Sequence, residues 1–145
     1  MSNAQNKFSA VTTFHLPKHL YAVEMINSFF ANWPNEVSLT AFIENSSEID
    51  DRAVKPKIMV KDFEKNVPKY QNFVEKFKEK EKYTDDFRFN VFRFAHKVYA
   101  IEAALKYAKS KYLIWLDADI KTYKRLTSGF LETLIKPGSY MSYLG

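Results

Sequence analysis

Two carboxylates stand one residue apart at the point where a hydrophobic run of the chain ends. Asp117 and Asp119 follow Tyr112 to Leu116, whose residues are all apolar or aromatic. Two nearby anionic oxygens suit a hard divalent cation such as Mg²⁺ or Mn²⁺. A carboxylate buried without a partner is costly, so such a pair is expected to face water, a metal or a hydrogen-bond donor. From the pair alone, a metal site and a solvated acidic turn are both open.

The element that must position this pair is the hydrophobic run itself. A continuous apolar segment of this length is typical of a strand buried on both faces, as in a parallel sheet. In open α/β sheets, ligands bind beyond the carboxyl ends of the strands. We therefore expect Asp117 and Asp119 at the ligand-binding edge of such a sheet.

Composition limits the class of protein. The chain has 145 residues, of which 46% are hydrophobic and 17% aromatic, and we expect one domain with a packed core. No apolar run approaches the length of a transmembrane helix, and the first residues do not resemble a secretory signal. Cysteine is absent, which excludes thiolate metal sites and predicts a cytoplasmic protein. The formal charge of +5 favours anionic partners. No predicted face carries a basic stripe with interleaved aromatic residues, so we do not expect nucleic-acid binding.

Hydrophobic periodicity predicts an α/β fold that is Rossmann-like, with a mostly parallel sheet of about four strands flanked by helices. The predicted strands are Phe8 to Phe14, Val37 to Glu44, Lys57 to Val60 and Tyr112 to Leu116, with the start of another at Ser139 to Leu144. The predicted helices are Lys18 to Asn32, Asn66 to Lys80, Val91 to Lys109 and Leu126 to Ile135. The first strand, helix and second strand form a right-handed βαβ unit, which makes the two strands parallel.

The helix before the acidic pair has two sets of small or apolar residues. The set predicted to line one apolar face is Val98, Ile101, Leu105 and Ala108. The set predicted to allow close approach to the sheet is Ala100, Ala103 and Ala104. Two polar segments, Asn45 to Pro56 and Glu81 to Asn90, are predicted loops.

The order of these elements resembles a known family. Strand FSAVTTF, a helix, strand SLTAFIE, a third strand and helix KVYAIEAALKYA lead into YLIWLDAD. This arrangement is similar to the nucleotide-binding half of a nucleotide-sugar glycosyltransferase of the GT-A type, over Phe8 to Leu144. Such enzymes carry an Asp-x-Asp motif after a hydrophobic strand, with a basic residue near the start of the preceding helix.

The resemblance implies a role for each matching residue. Asp119 would be the metal ligand that bridges to the diphosphate of the donor. Asp117 would contact the ribose or hold the metal through water. Thr13 and Phe14 match the position that contacts the base, although Phe14 also fits a core residue and Thr13 an ordinary strand residue.

Three further positions match the family in the same way. Glu44, at the end of the second strand, matches an acidic residue that contacts base or ribose, and it also fits an ordinary loop carboxylate. Arg93 and Lys97 match a basic position near base or phosphate, and they also fit solvated charges. His96 is expected to be structural or exposed.

The function implied by the resemblance is transfer of a sugar from a nucleotide-diphosphate sugar, bound through Mn²⁺ or Mg²⁺, to an unknown glycan, lipid or protein acceptor. We expect the 145 residues to form a single nucleotide-sugar-binding domain without the half of such enzymes that binds the acceptor, so no catalytic residue is assigned. We expect either a fragment of a larger transferase or a small protein that self-associates through the open edge of its sheet.

Three alternatives stay open on the residues alone. A non-catalytic domain that binds a nucleotide or a partner protein would share the same fold. A phosphatase with an aspartate nucleophile also uses Asp-x-Asp after a buried strand, but Lys121 stands where those sites have Thr or Val. His15 and His19 could share a zinc ion, although no third ligand is near them in the sequence.

Overall fold

The structure is a computed structural model that describes residues 6–15, 20–44, 58–81, 91–139 and 141–142. Its strands are β1 (Phe8–His15), β2 (Ser38–Glu44), β3 (Ile58–Asp62) and β4 (Tyr112–Trp115). Its helices are α1 (Leu20–Asn32), α2 (Phe63–Asn66), α3 (Pro68–Glu81), α4 (Val91–Tyr107) and α5 (Ser128–Thr133). No helix in these ranges has the length and apolar character needed to cross a membrane.

The four strands form one sheet in the order β3-β2-β1-β4, and every neighbouring pair is parallel. In the register, Val11 of β1 lies opposite Thr40 of β2 and Trp115 of β4. The predicted α/β fold with a parallel sheet of four strands flanked by helices is therefore confirmed. The structure also places β4 beside β1, which sequence periodicity alone did not decide.

Alternating residues of β1 supply the two sides of the core. Phe8 and Ala10 belong to an apolar cluster with Met25 of α1 and Leu131 of α5. Val11, the residue after Ala10, belongs to a second cluster with the alanines of α4. Successive strand side chains point to opposite faces, so helices cover the sheet on both sides. Burying each large apolar side chain contributes about 1.5–3 kcal/mol.

Helix α4 lies against the sheet through small residues, as predicted. Ala100, Ala103 and Ala104 are buried, and Ala100 has no exposed surface. Val98 and Leu105 were predicted on the apolar face, but they are 64% and 58% exposed. That part of the prediction is wrong because the alanines turn α4 so that Val98 and Leu105 point away from β1.

The β3 to α3 region differs from prediction in its boundaries. Strand β3 ends at Asp62 instead of Val60 and runs directly into the short helix α2. The Asp62 side chain accepts a hydrogen bond from Lys65 N at 2.9 Å, which caps α2. Val67 ends α2, and Pro68 then begins α3, a position where a missing N–H costs nothing.

Strand β4 packs against the core on both faces, as predicted, but each of its four residues is only half-buried. The reason is its place at the end of the described sheet, where only β1 flanks it. Of the strand predicted at Ser139 to Leu144, the described residues 139, 141 and 142 are not in a strand, and the others lie outside the described ranges. Self-association through this edge stays a prediction.

The remaining predictions meet the structure in part. Helix α5 is shorter than the predicted Leu126 to Ile135, because Thr127 caps its first turn by accepting a hydrogen bond from Phe130 N. The predicted loop Asn45 to Pro56 and the predicted loop after Glu81 lie outside the described residues, apart from Glu81 itself, which ends α3.

Candidate functional site

The acidic pair lies where the strand order reverses. From β1 the chain crosses through α1 to β2 on one side, whereas β4 returns to the other side of β1. Leu116 N donates to Val11 O at 2.9 Å, so Asp117 begins immediately beyond the last ladder contact with β1. Crevices at such reversal points, outside the carboxyl ends of parallel strands, are the usual ligand sites of open α/β sheets.

Asp117 is held by two donors on the α4 side of the sheet. Its Oδ1 atom accepts hydrogen bonds from Trp115 Nε1 at 2.6 Å and from Lys97 Nζ at 3.2 Å. Trp115 and Asp117 share a side because they are two residues apart in extended chain. The Asp117 side chain is nevertheless 57% exposed, so it can also contact a ligand from solvent.

Asp119 lies in the turn that follows. Ile120 N donates to Asp117 O at 3.3 Å and closes this turn. Ala118 packs against the buried cluster that contains Phe14, while the acidic residues on either side of it are exposed. Within the described ranges, Asp119 has no hydrogen-bond or ion-pair partner. Its carboxylate is therefore directed to solvent and available to a cation.

The segment after the turn is anchored to the last turns of α1 through Thr122. Asn32 Nδ2 donates to Thr122 O at 2.7 Å, and Trp33 Nε1 donates to Thr122 Oγ1 at 3.0 Å. Thr122 N donates to Ser28 Oγ at 3.0 Å. Leu126 N also donates to Asn32 O at 2.7 Å. All the polar groups of Thr122 are thus satisfied, which fixes the path of the chain after Asp119.

Glu44 is paired with a residue that the sequence did not mark as functional. His96 Nδ1 lies 2.6 Å from Glu44 Oε1, and both side chains are about four-fifths buried, with 20% and 22% exposed. The His96 ring also packs against Phe63 and Tyr70, with centroid distances of 4.7 Å and 4.3 Å. The expectation that His96 is structural or exposed agrees with this packing but missed its contact with Glu44.

Helix α4 therefore connects two strand ends through consecutive residues. His96 reaches Glu44 at the end of β2, and Lys97 reaches Asp117 just past β4. Because β1 lies between β2 and β4, the two contacts lie on either side of β1 at the carboxyl end of the sheet. The structure thus places Glu44, Lys97 and Asp117 at the carboxyl end of the sheet.

The other predicted site residues occupy different environments. Thr13 is half-buried, and its hydroxyl donates to Phe42 O at 2.8 Å. Phe14 is 9% exposed and packs within the core, so its ring does not offer the open stacking surface that a base-contacting residue needs. Arg93 is exposed in the first turn of α4. Of the two histidines that could share a zinc ion, His19 and the side chain of His15 lie outside the part of the chain that the structure describes.

The donor set at the acidic pair fits a partly hydrated divalent cation. Asp117 and Asp119 supply hard carboxylate oxygens, and both are exposed. No group of three or more His, Asp or Glu side chains that could hold a metal occurs among the described residues. Mg²⁺ is commonly bound by one or two carboxylates together with phosphate oxygens and water, without an all-protein cage. The residues therefore fit a metal that a phosphate ligand helps to hold.

Sequence reasoning missed Trp115, His96 and the residues that anchor Thr122. A weak signal existed for Trp115, since a half-buried indole N–H needs an acceptor and Asp117 stands two residues later. No local signal marks the Asn32 contact with Thr122, because the two residues are 90 positions apart.

No known protein family, curated protein or solved structure matches this chain.

Proposed function

We propose that this domain binds a nucleotide-diphosphate sugar through Mn²⁺ or Mg²⁺ at Asp117 and Asp119, as the donor-binding part of a glycosyltransferase. The observation that carries the proposal is the position of two exposed carboxylates beyond β4, where the strand order reverses beside β1. The acceptor would be a glycan, lipid or protein. Cytoplasmic location and self-association stay predictions.

The residues around the pair supply the contacts that such a ligand needs. Asp119, directed to solvent, would hold the cation, and Asp117 would hold it directly or through water. A bound divalent cation would neutralise charge on the diphosphate leaving group. Lys97, whose ammonium lies beside Asp117, would add a second positive group for the phosphates. The net charge of +5 also favours an anionic ligand.

The nucleoside end of the ligand would extend along the strand ends toward β2. Glu44 lies there, oriented by His96, and carboxylates commonly accept hydrogen bonds from ribose hydroxyls or base N–H groups. Thr13 lies on the adjacent strand with its hydroxyl turned toward β2. Phe14 would support the site from the core.

Calorimetric titration with a panel of nucleotide-diphosphate sugars, with and without Mn²⁺, tests this proposal. We expect binding of at least one member that requires the metal. Asp119→Asn keeps the shape of the side chain but removes its charge, and we expect it to weaken Mn²⁺-dependent binding by at least about tenfold. Glu75→Gln is the matched control, because it removes an exposed carboxylate on α3 that pairs with Lys78.

Metal-independent binding, or no binding by a folded sample, would contradict the proposal. Equal losses in Asp119→Asn and Glu75→Gln would contradict the assignment of the site. Metal-dependent binding without release of the sugar, to water or to any acceptor, would favour the alternative of a binding domain without turnover.

A further inference from the structure

Lys97 makes two contacts that tie its ammonium group to the end of β4. Its Nζ atom lies 3.2 Å from Asp117 Oδ1 and 5.0 Å from the centre of the Trp115 ring. The same indole donates to the same Asp117 oxygen at 2.6 Å. The three side chains thus form one closed set in which a single carboxylate oxygen receives both donors.

In this set, the Lys97 ammonium group lies beside Asp117, the carboxylate that would bind the divalent cation. Two positive groups on one carboxylate repel each other, so a bound divalent ion disfavours the Lys97 contact. The Lys97 and Asp117 side chains are 44% and 57% exposed, and ion pairs of that exposure are weak. The contact can therefore break without disrupting the core.

We propose that Lys97 is a tethered counter-cation, which a divalent ion displaces from Asp117 and which then pairs with the diphosphate of the ligand. This inference rests on the proposed function and adds its regulation. In the absence of phosphate, Lys97 opposes metal binding. When phosphate is present, the displaced ammonium gains a new anionic partner. Metal and diphosphate therefore bind with positive coupling, and part of that coupling passes through one side chain.

The test compares Lys97→Met with the unaltered protein in two titrations. In the first, Mn²⁺ alone is titrated, and the free ion is followed by its electron paramagnetic resonance signal. We expect Lys97→Met to bind Mn²⁺ about three- to tenfold more tightly, because a competing positive charge is gone. In the second, inorganic pyrophosphate is titrated at a fixed concentration of free Mn²⁺. We expect Lys97→Met to bind it about three- to tenfold more weakly.

Lys121→Met is the matched control. It removes a lysine that follows the acidic pair in the chain, but one whose ammonium pairs with Glu24 at 3.5 Å and not with Asp117. We expect both affinities of this variant to stay within about twofold of the unaltered protein. Lys97→Gln, which keeps a polar end group without charge, should behave as Lys97→Met does if charge is the cause.

The two hypotheses fail in different ways. Unchanged or weaker Mn²⁺ binding by both Lys97 variants, in a protein that does bind Mn²⁺, would overturn the tethered counter-cation and leave the proposed function standing. A loss of pyrophosphate affinity in Lys121→Met equal to that in Lys97→Met would also overturn it, since the effect would then be one of net charge. No Mn²⁺ binding by either the unaltered protein or the variants would overturn the proposed function, and with it this inference.

Discussion

The anchoring of Thr122 by Asn32 can be tested with a direct measurement of stability. The Asn32 amide makes two hydrogen bonds, to Ser28 O at 3.1 Å and to Thr122 O at 2.7 Å. Each such bond contributes about 0.5–1.5 kcal/mol, so Asn32→Ala is expected to lower the free energy of unfolding by about 1–3 kcal/mol. The midpoint of urea denaturation should fall, with an unchanged slope.

Asn32→Asp gives a second, sharper comparison. The new carboxylate has the shape of the amide, but it presents an oxygen to two carbonyl oxygens and adds negative charge at the end of α1. Negative charge at a helix C-terminus costs about 0.3–1 kcal/mol. We therefore expect Asn32→Asp to be less stable than Asn32→Ala at neutral pH.

A local measurement separates anchoring from general destabilisation. In Asn32→Ala, amide hydrogen exchange at Thr122 should accelerate more than exchange at Val11 in the core. The control is Thr133→Val, which removes an exposed local hydrogen bond from the Thr133 hydroxyl to Phe130 O. It should change stability by less than about 0.5 kcal/mol. If Asn32→Ala also costs less than about 0.5 kcal/mol, or if exchange at Thr122 is unchanged, the anchoring argument is refuted.

Two further predictions concern the packing of α4 and the acid range of stability. Ala100→Leu should lower the free energy of unfolding by about 1–3 kcal/mol in urea denaturation, because Ala100 has no exposed surface. Val98→Ala, at a 64% exposed position, should change that free energy little. Similar losses in the two variants would contradict the observed orientation of α4. The pKa of Glu36 lies below its ordinary value of 4.5, mainly because the Ser128 hydroxyl donates a hydrogen bond to its carboxylate. Because the folded-state pKa is lowered, the Glu36 carboxylate stabilises the folded protein at pH values above its unfolded-state pKa. This contribution is lost as the pH falls through the folded-state pKa. Ser128→Ala should therefore raise the Glu36 pKa in an NMR titration. It should also reduce the difference in the free energy of unfolding between neutral and acid pH. An unchanged Glu36 pKa would show that the Ser128 hydrogen bond does not lower it.

Much of the fold could be predicted because its signals are local. Alternation and apolar runs mark strands, and helical spacing marks the crossovers between them. Asp117 stands two residues after Trp115, the last residue of β4, so its place near a strand end followed as soon as the strand was identified. Element ends were less predictable, since caps such as Asp62 depend on which backbone N–H the side chain reaches.

The amino-acid sequence by itself determined the parallel α/β class, the small contact face of α4 and the acidic pair beyond β4. Only the tertiary structure decided what each charged group faces. Lys97 and Asp117 are 20 positions apart in the chain, and Asn32 and Thr122 are 90 apart. Neither contact produces a periodic pattern in the sequence. Such pairings depend on how α1 and α4 lie on the sheet. That placement is settled by the packing of the whole core, because side-chain shape acts between distant segments only once they are in contact.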